Sequence, residues 1–138
     1  MTYIFEDHTA DIMIVIKSES LLDFFNDILA ALWEIFLMKN EDFKLEEQSN
    51  EKETLEFEIN FEKPEELVFN FINRYIYFGE VNKKIIRLVK EIKKFENRIV
   101  FYSEVVKVGK IVSYIKSPTY HNFEVDLDKC YCRVVIDV

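Results

Sequence analysis

Thr54-Leu55-Glu56-Phe57-Glu58-Ile59-Asn60-Phe61 puts an apolar side chain at every odd position and a polar one at every even position. Side chains alternate across a strand, so this segment predicts a strand with one face in water and the other on a core. Pro64-Glu65-Glu66 follows closely and marks a helix start. Proline suits the first turn, where its missing N–H is no loss, and acids suit the positive end of the helix dipole. This helix is predicted to run to about Phe78, with Gly79 as its C-cap.

Upstream, Asn40 to Lys52 is acidic and polar and reads as a connection. Before it, Leu21, Leu22, Phe24, Phe25, Ile28, Leu29, Leu32, Trp33, Ile35 and Phe36 follow helical spacing, which predicts a helix from Leu21 to Met38. Asp23, Asn26, Asp27 and Glu34 lie mostly off that stripe, and Ser18 or Ser20 can cap it. The β-branched run Ala10 to Lys17 predicts a buried strand. Downstream, Ile85 to Phe95 and Arg98 to Val108 join at Glu96-Asn97 like a hairpin. The first of these carries Lys83, Lys84, Arg87, Lys90, Lys93 and Lys94 in and around it, and it also fits a helix. Ile111 to Lys116, Thr119 to Asp126 and Tyr131 to Val138 complete the strands, with a tight turn at Leu127-Asp128. The expected fold is α+β: a two-layer sandwich of one mixed sheet of about six to seven strands against two helices, in a single domain over residues 1–138.

Composition excludes several classes. A chain of 138 residues needs no disulfide or metal staple, and with 49% apolar residues it is not disordered. A net charge of −8 argues against a surface built to hold nucleic acid, while a metal or a basic protein partner stays open. No glycine-rich phosphate loop is present. The N-terminus has no basic region of a signal peptide, and the longest apolar run, Ile28 to Met38, is interrupted by Glu34 and falls short of the roughly 18 residues of a membrane span. Two neighbouring thiols, Cys130 and Cys132, fit a reducing, cytoplasmic setting, and a lone C-x-C lacks enough ligands for zinc.

Two carboxylates stand out. Alternation puts Asp11 on a face with Met13 and Val15, and Asp137 on a face with Val135. A charge among apolar neighbours needs a partner. One arrangement gathers Asp11, Asp137 and the α-carboxylate of Val138 around Ca²⁺ or Mg²⁺, since three anions without a cation repel. The other has Asp11 capping a turn and Asp137 paired with Arg133 or a lysine. His8 fits a turn closure. His121 shares a face with Phe123 and Val125 and reads as a hydrogen-bonded core residue. Neither thiol has a basic activator. The basic run reads as a solvated face, with docking of RNA or an acidic partner as the alternative.

Asp7-His8-Thr9-Ala10-Asp11-Ile12 resembles the N-terminal signature of the archease family. Lys116-Ser117-Pro118-Thr119-Tyr120-His121-Asn122-Phe123-Glu124-Val125 resembles its second signature, and Arg133-Val134-Val135-Ile136-Asp137-Val138 its C-terminus. The helix containing Asn73 lies between them. The chain departs from the family pattern at Met13, Asn70, Arg74 and Pro118. The resemblance implies a non-enzymatic accessory protein of the RtcB-type RNA ligase, which joins tRNA halves, so that tRNA is met only through the ligase. It implies promotion of ligase guanylylation and multiple turnover, and a divalent metal, Ca²⁺ foremost with Mg²⁺ or Mn²⁺ as alternatives, on Asp11, Asp137 and Val138. Two other readings compete: a small metal-dependent hydrolase using Asp11 and Asp137, and a chaperone-like binding module for RNA-processing proteins.

Overall fold

A computed structural model of the chain describes residues 11–40, 52–108 and 115–138. The elements run β1 (Asp11–Lys17), α1 (Leu21–Lys39), β2 (Lys52–Asn60), α2 (Pro64–Asn82), β3 (Lys84–Lys94), β4 (Arg98–Lys107), β5 (Ser117–Asp126) and β6 (Tyr131–Asp137). The α+β class is as expected, but the single mixed sheet is not. The described strands form two three-stranded antiparallel sheets, ordered β1-β6-β5 and β2-β4-β3. Each is a hairpin, β5-β6 or β3-β4, that gains one earlier strand on its far side. Strands β2 and β3 run parallel, as the crossover through α2 allows, but β4 lies between them, so no parallel pair forms. The Lys-rich run is a strand. Of the expected strand Ile111 to Lys116, positions 111–114 lie outside the described residues, as do His8 and most of the 40–52 connection.

The odd-numbered face of β2 behaves as its alternation demands: Phe57 and Ile59 are buried, while Glu56, Glu58 and Asn60 are exposed. Ser20 caps α1 by accepting from the Asp23 N–H at 3.1 Å. Pro64 opens α2 with Glu65 and Glu66 in its first turn. Gly79 does not end that helix. It lies on the buried stripe with Phe71, Ile72, Tyr75 and Ile76, and the helix continues to Asn82. Lys83 closes it instead, in the left-handed region at φ 54°, with its backbone N–H on the Phe78 carbonyl and its ammonium on the Glu80 carbonyl at 3.0 Å.

The helices and the β2-β4-β3 sheet meet in a cluster of phenyl rings. Phe101 lies 4.8 Å from Phe25 of α1, 5.0 Å from Phe71 of α2 and 5.0 Å from Phe57 of β2, centroid to centroid. Beside Phe25, Asn26 is not on a solvated face. Its carboxamide donates to the Val89 carbonyl at 3.0 Å and accepts from the Val89 N–H at 2.8 Å. Val89 sits on β3, an edge strand with a register shift just beyond it, so one side chain takes the place of a neighbouring strand there. Replacing Asn26 by Leu leaves both Val89 backbone groups without that partner and is expected to cost about 1–3 kcal/mol, with Asn26→Asp, which retains only an acceptor, in between. Urea midpoints check this; a Leu variant as stable as the parent refutes it.

Candidate functional site

Strand β6 is the centre of its sheet, and its last residue is held from both sides. Asp137 lies opposite Asp11 of β1 and opposite Ser117 of β5, so the three form one row across the sheet. The next row holds Met13, Val135 and Thr119, and the one after it Val15, Arg133 and Glu124. The opposite face carries Ile14, Ile16, Cys132, Val134 and Ile136, all buried. A hydrogen bond of 3.0 Å from the Lys116 N–H to the Asp137 carbonyl fixes the end of β6, and Val138 beyond it packs against the core.

Directly opposed residues of an antiparallel pair have Cβ atoms about 4.5–5.5 Å apart, so the register places the two half-buried acids side by side across the β1-β6 pair. Among the described residues no lysine or arginine pairs with either. The alternative partner for Asp137, Arg133, is committed elsewhere. It pairs with Glu124 at 3.2 Å and donates to the Asn122 carbonyl at 3.1 Å. Thr119, one row along on the same face, has a buried hydroxyl oxygen with no hydrogen-bond partner. The described residues hold no cluster of three His, Cys, Asp or Glu side chains, so a third ligand here would be a main-chain or hydroxyl oxygen. Val138 and Ser117 stand at the right end of the sheet for that role. A donor set of oxygens alone fits Ca²⁺, Mg²⁺ or Mn²⁺ and does not fit zinc. Ser117 and Thr119 escaped the sequence reading because neither carries a charge that looks out of place. Only the β5-β6 register brings them beside Asp137.

His121 is a correction. It is exposed, because alternation fails within β5: the register shifts between Thr119 and Glu124, and Asn122 adopts φ 54°. The same irregularity turns Tyr120 outward, 67% exposed, with its ring flat on Phe69 of α2 at 4.1 Å and 4°. The two cysteines are free and buried. Cys130 sits in the turn before β6 at φ 49° rather than on the strand. Burial pushes the Cys132 thiol up to about 12, far from a reactive thiolate.

Two of the six cations in and around β3, Lys84 and Lys90, pair with acids among the described residues. Lys84 and Lys107 meet Glu53 at 2.9 and 3.0 Å, and their hydrogen bonds hold its carboxyl below the usual range. Lys90 does the same to Glu104 at 3.0 Å. Arg87 lies over the Trp33 ring at 3.8 Å, where burial lowers the pKa of its guanidinium.

An α+β chain with two carboxylates opposed across the end of a central strand has the residue pattern expected from its three signatures. Residues 3–138 match the model of the Archease protein family (MTH1598/TM1083), and the chain belongs to that family. Two solved structures share the fold. An archease from Thermotoga maritima, described as a possible chaperone, is 24% identical, with a TM-score of 0.55 over 100% of this chain and 97% of its own. Protein 1598 of Methanobacterium thermoautotrophicum is 16% identical, with a TM-score of 0.63 over 99% of this chain and 98% of its own. No curated protein matches.

Like charges directly opposite each other destabilise a strand pair. In chelator, Asp11→Asn is therefore expected to raise the stability of the chain, by about 0.2–1 kcal/mol. Denaturant unfolding in EDTA checks the sign; a fall of several kcal/mol would instead identify Asp11 as one half of a buried ion pair.

Proposed function

We propose that this protein is a non-enzymatic, chaperone-like accessory factor of an RtcB-type RNA ligase in tRNA splicing, promoting ligase guanylylation and multiple turnover. We propose further that it works with a divalent ion, Ca²⁺ foremost, held by Asp11, Asp137 and Val138. The observation that carries this reading is the register of Asp11 against Asp137, on a chain of the archease family. Such an ion would supply the positive charge that two opposed carboxylates otherwise lack. The chain's own residues do the rest: β6, hydrogen-bonded on both sides, keeps the Asp137 carboxylate from withdrawing, and β1 presents Asp11 to it. Bond-making chemistry stays on the ligase.

RNA is met through the ligase rather than directly, in keeping with a net charge of −8 and with the pairing of Lys84 and Lys90 to acids. No helix among the described residues is long and apolar enough to cross a membrane. The buried free thiols suit the cytoplasm, where we place the protein. The name given to the Thermotoga maritima archease, a possible chaperone, is compatible with an accessory role.

Two measurements test the proposal. Ca²⁺ is expected to raise the melting temperature of the parent chain and to leave Asp11→Ala and Asp137→Ala unmoved, because binding to the folded state alone stabilises it. With an RtcB-type ligase at limiting concentration, the parent chain is expected to convert single-round ligation into repeated turnover, and both variants to fail. A calcium shift without ligase stimulation would retain the ion site and reject the partner. Stimulation by folded alanine variants would reject the metal-dependent mechanism.

A further inference from the structure

The hydroxyl oxygen of Thr119 is buried and meets no hydrogen-bond partner among the described residues. A buried hydroxyl in that state carries its full desolvation penalty, whereas a valine of nearly the same shape has no group to satisfy. The hydroxyl has few places to turn. Met13 and Val135, its row-mates across the sheet, carry no strong hydrogen-bonding side-chain group. On the C-terminal side β5 parts from β6. Pairing stops at Thr119 and resumes at Glu124, and the Tyr120 ring lies out on Phe69. Thr119 is thus the last residue held in register before the irregularity.

On its N-terminal side, the next row of the same face is Asp11, Asp137 and Ser117. Diagonal neighbours across a strand pair lie about 7–8 Å apart, which is long for a direct bond between Thr119 and the Asp137 carboxylate. A single water closes such a gap, since each O–H···O bond spans about 2.5–3.0 Å. Calcium takes about six to eight oxygens, more than Asp11, Asp137 and Val138 supply, so waters complete its shell. A water in that shell is held in one direction only when a second group anchors it. The unsatisfied Thr119 hydroxyl, one row from the two carboxylates, is such an anchor.

We propose that Thr119 is a positioning residue of the ion site: its hydroxyl accepts a hydrogen bond from a water in the coordination shell of an ion at Asp11 and Asp137. This rests on the ion reading above and adds to it a residue that reaches the ion only through water. Partners in the outer shell typically carry about 10–100-fold of metal affinity. The bare hydroxyl destabilises the metal-free chain and binding relieves it, so one oxygen atom couples the ion to the fold.

Isothermal titration of the full chain with CaCl2, after removal of chelator, makes the test. The parent is expected to bind one Ca²⁺, and Thr119→Val to bind it at least about tenfold more weakly. Thr119→Ser, which keeps the hydroxyl, is expected to stay close to the parent. Thr54→Val, the same change on β2 of the other sheet, should leave the affinity unmoved. In EDTA the melting temperature of Thr119→Val is expected to equal or exceed that of the parent, because an unsatisfied group is gone. A hydroxyl that merely supports the strand would give a fall. A second measurement needs no variant: emission lifetimes of Eu³⁺ in H2O and D2O count the waters on an ion standing in for Ca²⁺, and at least one is expected. Equal calcium affinity of Thr119→Val and the parent, a lower melting temperature of that variant in EDTA, or a bound ion without water would overturn the role of Thr119 and leave the ion site standing. No calcium binding by the parent would overturn both.

Discussion

Phe101 is where the architecture is tied together. Rings from α1, α2 and β2 meet on it, so the helices and the β2-β4-β3 sheet are held by one contact group. Aromatic rings contribute large buried area and prefer tilted or offset contacts, which fixes angles as well as distances. Phe25 sets α1 close enough to β3 for its neighbour Asn26 to reach the Val89 backbone. The polar contact is thus a consequence of the apolar one, and it would not form on a helix displaced by even a few ångströms.

The β1-β6-β5 sheet follows a different logic. Its inner face is aliphatic and its outer face is mixed, and the position of β6 between two strands is what makes the row Asp11, Asp137, Ser117 possible. An edge strand could fray and let a carboxylate escape to water. A central strand cannot, so Asp137 is held in place, while Asp11 stands opposite it at the start of the edge strand β1. The fold tolerates this where the two side chains are only half-buried, in a row that Ser117 completes.

Periodicity carried much of this in advance. The strict alternation of β2 and the proline and acids opening α2 name their elements locally, whereas the Lys-rich run before Glu96-Asn97 fitted a helix as well as a strand. Pairing between distant strands leaves no such local mark, which is why two sheets read as one. Gly79 looked like a helix end because glycine favours that role, yet its lack of a side chain serves packing on the buried stripe. Asn26 stood out only as a polar residue mostly off the apolar stripe, and its distant partner Val89 is what explains it. His121 was misplaced by an irregularity that alternation cannot foresee. At the candidate site, Asp11 and Asp137 were legible as charges in apolar company. Ser117 and Thr119 were not, since a hydroxyl on a strand raises no such alarm.

The contact of Arg87 with Trp33 has an optical side. Trp33 is the only tryptophan of the chain, and a guanidinium lies 3.8 Å from its ring at the junction of α1 with β3. Its emission therefore reports a single place in the molecule. Any event that lifts α1 from the sheet changes both the charge over the indole and its exposure to water. The protein carries its own spectroscopic marker of that seam, and no label need be attached to follow it.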